Sequence, residues 1–428
     1  MEHLLFLVHR IPYPPNKGDK IRSYHLLKHL AQRYHVHLGT FVDDPDDWQY
    51  VDTVKALCRS THFAALSSRS ARLRSLPALA SNRALSLDYY RNAGLKKWVD
   101  ELLAATPASP QSPITRVLVF SSAMAQYAQD ERLQRRLIDF VDIDSDKWQQ
   151  YSEKKSWPMN WVYRREARCL LQYERQIADR FDVSLFVSRA EAELFRRLAP
   201  ASAHKTGFFN NGVDIDYFSP AHVFDNPYPS ATAADGPVMV FTGAMDYWPN
   251  IDAVQWFARD ILPQIRARQG HADARFYIVG SRPAPQVLAL AALPGVHVTG
   301  TVPDVRPYLA HARCAVAPLR VARGIQNKVL EAMAMQMAVL VSPQALEGID
   351  ARPGTDLVLA DDAAEFADAA CALLADQDQL KQLGACARRK IESSYGWDAQ
   401  LAVLDQLLES RQPLNFAMNE SPQCAPTH

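Results

Sequence analysis

Short, largely apolar runs alternate with helix-length stretches through both halves of this chain, and that alternation points to a parallel-sheet α/β architecture. In the first half Leu4–Val8, His35–Val42, Val117–Phe120, Leu137–Val141 and Val183–Val187 read as strands. Lys20–Arg33 reads as a helix with Ile21, Tyr24, Leu27 and Leu30 on one stripe. In the second half Val238–Thr242, Arg275–Val279, Val296–Thr299, Cys314–Pro318, Val339–Ser342 and Leu357–Leu359 repeat the pattern. Two doubly wound, Rossmann-like domains are expected, and 428 residues suffice to give each its own core. No G-x-G-x-x-G follows the first strand, which argues against a nicotinamide dehydrogenase.

The stretch RVARGIQNKVLEAMAMQMAVL, residues 320–340, carries the most chemistry. An apolar strand runs into a basic, glycine-containing loop and then into a helix that opens near Gln326. The first N–H groups of such a helix lack intrahelical partners and its dipole is positive there, so a diphosphate can dock on it. Gly324 lets backbone approach closely, while Arg320, Arg323 and Lys328 add charge. Glu331 follows Lys328 by one turn and can accept both hydroxyls of a ribose. An ordinary surface pair of Lys328 with Glu331 is the competing interpretation. The strand ahead of the loop favours a ligand site, because ligands of open parallel sheets gather at strand carboxyl ends.

Two segments of the first half hold further candidates. The loop IPYPPNKGDKIRSY ends in Gly18 and Asp19 just where a helix begins, with Arg22 one turn on. Asp19 is equally a helix cap. In DFVDIDSDKW, Asp142, Asp144 and Asp146 cluster past a strand end, without the glycine and distal glutamate of a calcium loop. In the second half, Gly243 permits close approach of a ligand to backbone, Gly280-Ser281-Arg282 ends a strand, Trp248 reads as core or hinge packing, and Asp304 as a helix cap.

These residues together resemble the GT-B glycosyltransferases of retaining family four, in which a glycine-rich loop leads into a helix reading LEAMA. The resemblance spans roughly residues 1 to 410 and includes NGVD at 211–214. GIQNKVLEAMA, HRIPYPPNKGDKIRSYHLLKHL and FVDIDSDKW are similar to sugar transferases associated with exosortase (PEP-CTERM) exopolysaccharide loci. The family carries two glutamates seven residues apart. Glu331 supplies the second, which meets the nucleotide ribose, and Arg323 stands at the first. The family's diphosphate-binding Arg and Lys are replaced by Ala244 and Asn250, so Arg320, Arg323 and Lys328 are expected to substitute for them.

The resemblance implies a domain organisation: an acceptor-side domain over 1–212, a nucleotide-sugar domain over 213–395 and a helix at 396–411 crossing back to the first domain, before a disordered tail over 412–428. The two domains are expected to face each other across a cleft. It also implies a donor site of Gly243, Arg323, Gly324, Ile325, Gln326, Val329, Leu330 and Glu331. Arg320, Lys328 and Asp142 are the expected catalytic residues, and Gly18, Asp19, Arg22 and Asp144 the acceptor or phosphate contacts. The expected substrate is a nucleotide-diphosphate sugar, with no cofactor and no metal, and the acceptor a saccharide or lipid-linked saccharide. A GT-B nucleotide-sugar epimerase and an inactive scaffold are the alternatives.

Lys plus Arg and Asp plus Glu number 47 each, which leaves no global electrostatic case for nucleic acid. The six cysteines are dispersed and read as reduced thiols of a cytoplasmic protein. The chain opens on a strand rather than a leader, and no apolar run is long enough to span a bilayer. From Thr53 to Leu87, however, Lys55, Arg59, Arg69, Arg72, Arg74 and Arg83 occur without one acidic residue. An anionic membrane surface is therefore a candidate partner, weighed against two helices with a solvated basic face.

Overall fold

The structure, a computed structural model, describes residues 1–15, 18–104, 113–153, 156–228, 236–322 and 325–410. The chain forms two compact units, one of residues 1–211 with the helical segment from Gln400, the other Gly212–Ala399. The expected tail over 412–428 lies outside the described residues.

The first unit is built on seven parallel strands: β1 (Glu2–Val8), β2 (Tyr34–Val42), β3 (Ser60–Ala65), β4 (Arg116–Phe120), β5 (Arg135–Val141), β6 (Val183–Phe186) and β7 (Thr206–Phe208). Their order is β3-β2-β1-β4-β5-β6-β7. Strand β1 is buried from His3 to Val8, because helices cover both sheet faces and a parallel central strand has no solvent side. Strands β3 and β7 were not legible in the sequence. STHFAA of β3 buries only Ala64 and lies at the sheet edge, and β7 has three residues, so neither produces a clear apolar period. Strand β3 also breaks the expectation of two helices across 53–87.

The second unit has six parallel strands: β8 (Val238–Thr242), β9 (Arg275–Val279), β10 (Val296–Gly300), β11 (Cys314–Ala317), β12 (Val339–Val341) and β13 (Val358–Leu359). They are ordered β10-β9-β8-β11-β12-β13. In each sheet the strand order turns back beside a central strand, between β1 and β4 and between β8 and β11, and such switch points open a crevice at the strand carboxyl ends. The helix Trp397–Glu409 starts in the second unit and continues from Gln400 in the first. There Asp405 pairs with His29 at 2.8 Å and Arg33 at 3.0 Å, and Arg135 donates to the Leu407 carbonyl at 2.8 Å.

Cys58, Cys169, Cys314, Cys371 and Cys386 are free thiols. Among the described residues no helix is long and apolar enough to cross a membrane.

Candidate functional site

At the switch point of the second sheet, the segments after β8, β9 and β11 enclose a cavity of about 540 Å³. The backbone there is unusually tight. A Cβ on Gly280 would stand 1.6 Å from the Gly243 carbonyl oxygen, and one on Gly243 would meet the Asn250 amide at 2.8 Å. No other residue fits at Gly280, and the cavity floor is accordingly bare backbone.

The helix Asn327–Ala334 forms one wall, with Gln326 at its N-cap position. Its 3.6-residue period buries Val329, Leu330, Ala332, Met333 and Ala334 in the core and turns Lys328 and Glu331 to the cavity. Val329 and Leu330, expected as donor contacts, are thus core residues with no exposed surface. Ile325, Gln326 and Gly243 line the cavity. Arg323 and Gly324 lie outside the described residues.

Lys328 is held by the residue that stands where the resembling family has a lysine. Its Nζ donates to Asn250 Oδ1 at 2.9 Å, while Asn250 Nδ2 donates to the Ala244 carbonyl at 2.9 Å. Burial lowers the Lys328 pKa to about 8, with the Glu331 charge opposing. Burial likewise pushes the Glu331 carboxyl up to about 7, against the Lys328 charge. Among the described residues the Glu331 side chain makes no hydrogen bond or ion pair, so both carboxylate oxygens can accept from a ligand.

Arg320 departs from expectation. It grips Asp252 with Nε at 3.0 Å and Nη2 at 2.5 Å, lies over Trp256, and does not line the cavity. Trp248, expected in core or hinge packing, is exposed. Tyr247, Thr301, Val302 and Asn327 line the cavity without having been singled out in the sequence. Ser281 lines it as well, whereas Arg282 pairs outward with Asp246 at 3.0 Å. Asp304, expected as a helix cap, lies one residue ahead of the N-cap position Val305 and accepts from the Arg306 N–H at 2.9 Å and from its guanidinium.

The first unit gathers ionisable groups at the carboxyl ends of β1, β2 and β5. Arg10 bridges Asp19 at 2.7 Å and Asp43 at 2.9 Å, and His9 stands 3.4 Å from Asp19. Burial disfavours the Asp19 carboxylate, yet the His9 hydrogen bond and the Arg10 charge outweigh it and hold the pKa far below the usual range. Nothing lies within 4 Å of where a Gly18 Cβ would stand. Past β5, Lys147 joins Asp142 at 2.7 Å and Asp144 at 3.5 Å. Burial raises the Asp144 carboxyl, with Lys147 and His9 opposing. Asp146 turns away and accepts from Gln150 at 2.6 Å, so the three aspartates do not converge on one point. His9, Arg10, Asp43 and Lys147 were missed in the sequence. Reading the ionisable residues just beyond each strand would have found the first three.

Arg22 is not a ligand contact. With no exposed surface, it pairs with fully buried Asp139, donates to the Phe209 carbonyl at 3.1 Å and Asn211 Oδ1 at 3.0 Å, and stacks on Phe209. Asp139 Oδ1 in turn accepts from the Val141 N–H at 3.1 Å. Val141 has φ 69°, a conformation costly for a β-branched residue, and it aims Asp142 and Asp144. Arg22 therefore positions the aspartate turn from beneath. Arg22→Met is expected to cost about 3–5 kcal/mol by stranding Asp139, a loss that denaturant unfolding measures. A change below about 1 kcal/mol would contradict this role.

Residues 236–376 match the family model described as "Glycosyl transferases group 1". No curated protein matches the chain. Among solved structures, sucrose-phosphate synthase of Thermosynechococcus elongatus superposes with TM-score 0.62 at 19% identity, covering 95% of this chain and 98% of that one. A glycosyltransferase of Rickettsia africae ESF-5 gives 0.62 at 12% identity, with 96% and 99% covered. HepE of Anabaena in complex with UDP gives 0.58 at 14% identity, with 95% and 99% covered. The chain thus has a GT-B fold of two Rossmann-like parallel sheets, and its second unit carries the glycosyl transferases group 1 pattern over residues 236–376.

Proposed function

We propose that this protein is a glycosyltransferase that moves a sugar from a nucleotide-diphosphate sugar to an acceptor hydroxyl, with retention, in exopolysaccharide or lipid-linked glycan synthesis at the cytoplasmic face of a membrane. The observation that carries the reading is the Lys328–Glu331 wall: a cation and a carboxylate without a side-chain partner among the described residues, one turn apart, facing one cavity at a helix N-terminus. That arrangement suits a diphosphate beside a ribose diol. The matching family model covers these same residues, and HepE has been crystallised with UDP-glucose. Retention and the exopolysaccharide setting rest on the sequence resemblance.

In the proposed step the bond between the anomeric carbon and the diphosphate oxygen breaks, and a bond from that carbon to the acceptor oxygen forms. The acceptor proton passes to the departing diphosphate oxygen. Lys328 and the helix N–H groups offset the charge that collects there, which leaves no role requiring a metal. The strand-end cluster of Asp142, Asp144 and Lys147 offers hydrogen-bond partners for acceptor hydroxyls.

Thermal unfolding with a panel of uridine- and guanosine-diphosphate sugars tests the reading. One of them at a hundredfold excess over its Kd should stabilise the fold by about 2.7 kcal/mol. No stabilisation by any of them would favour an inactive scaffold. A free or epimerised sugar formed without acceptor would favour an epimerase.

A further inference from the structure

The first unit carries an exposed apolar knuckle that neither the donor cavity nor the strand-end cluster uses. It lies where the helix Met159–Arg180 begins, beside the helix Ser68–Ser75 and the tight turn Leu76–Ala80. Trp157 is 80% exposed and Leu73 69%, and Leu76, Met159 and Trp161 are also exposed. Arg165, buried, ties the helix Met159–Arg180 to the turn and the residues after it by donating to the carbonyls of Ala78, Ser81 and Arg83. Trp161 precedes Arg165 by one turn and shares its stripe, next to that turn.

Cations predominate around the knuckle. Arg69, Arg72, Arg164 and Arg168 are exposed. No acidic residue occurs from Thr53 to Leu87 or from Ser156 to Arg165. Glu166 is fully buried, accepting from the N–H groups of Leu85 and Ser86. Glu153, at the end of the preceding helix, is the exposed carboxylate nearest in sequence. Three other cations of the basic segment are committed elsewhere: Lys55 to Asp52 at 3.0 Å, Arg83 to Asp88 at 3.1 Å, and Arg74 to the carbonyls of Asp88 and Tyr89. The basic composition of that segment is therefore not itself the surface.

We infer that this knuckle, Trp157 and Trp161 flanked by Arg164 and Arg168, docks the protein on an anionic lipid bilayer. Tryptophan has an apolar body and a polar N–H and settles at the headgroup boundary, while arginine lays its stem on the apolar surface and keeps its guanidinium among phosphates. A protein partner of ordinary composition gives less reason for a rim in which cations so outnumber carboxylates. The inference rests on the membrane part of the proposed function and is independent of the donor chemistry.

Flotation of the full chain with phosphatidylcholine vesicles, and with mixed phosphatidylcholine–phosphatidylglycerol vesicles, tests it. The wild type should float with the mixed vesicles, much less with the neutral ones, and less as salt rises. Trp157→Ser with Trp161→Ser, and separately Arg164→Glu with Arg168→Glu, should each weaken binding by about tenfold or more. Both pairs should leave the melting temperature and its shift with a nucleotide sugar unchanged. Flotation that ignores the anionic lipid, or tryptophan variants that float like the wild type, would overturn the inference. So would a lipid-free dimer dispersed by the tryptophan substitutions, which would assign the knuckle to a second copy. Donor stabilisation without flotation would sink the membrane surface alone, and flotation without donor stabilisation would sink the transferase reading alone.

Discussion

Glu331→Gln is expected to weaken nucleotide-sugar binding by about thirtyfold while making the protein more stable at pH 8. The binding loss follows from replacing a carboxylate, which accepts two charge-assisted hydrogen bonds, with an amide that accepts fewer and weaker ones, a difference of about 2 kcal/mol. The stability gain follows from the sign of the shift. Burial raises the folded-state pKa of Glu331 to about 7, above the ordinary 4.5, so ionisation is harder in the folded chain than in the unfolded one. Stability is therefore lost as pH rises from about 4.5 through 7, and glutamine removes that loss. The expected gain at pH 8 is on the order of 2 kcal/mol, reduced because Lys328 loses a supporting charge, and it should vanish near pH 4.5. Thermal melts at both pH values, with donor titrations, check the two halves together. A variant less stable at pH 8 that binds donor normally would make Glu331 a structural partner of Lys328.

The same wall shows which features a sequence can carry. The helix at 327 was legible because its apolar period, strand and glycine loop agree on one geometry, and the period also separates Lys328 and Glu331 from the core. Val329 and Leu330 were misassigned because a motif marks a segment, whereas burial is decided residue by residue by helical phase. Arg320 and Arg22 failed for another reason. An arginine near a phosphate loop looks the same in sequence whether it faces solvent or an aspartate brought in by the fold, and Asp252 and Asp139 lie 68 and 117 residues away. Lys328 held by Asn250 is likewise a pairing across 78 residues. The asparagine that stands where the resembling family has a lysine meets Lys328 only once β8 and β11 lie side by side.

Lys328→Met is expected to lower kcat/KM by about 10²–10³, the range for removing one preorganised group that stabilises departing charge. Its melting temperature should not fall, because the lysine is buried against its own ionisation: its pKa is lowered to about 8 from the usual 10.5. In the ligand-free protein Glu331 must be ionised to accept ribose hydroxyls and Lys328 protonated to meet the diphosphate. Activity in kcat/KM should thus rise with pH near 7, fall near 8, and form a narrow bell. Lys328→Arg should remove the alkaline limb, since a guanidinium does not titrate there, at reduced activity because it cannot repeat the single bond to Asn250. Arg320→Glu supplies the contrast. Its salt bridge to Asp252 is half exposed and outside the cavity, so reversal should cost no more than about 1 kcal/mol of stability and change kcat/KM less than about threefold. The opposite ranking, with Arg320 indispensable and Lys328 tolerant, would move the diphosphate to the outer edge of the loop and remove Asn250 from any part in holding the cation.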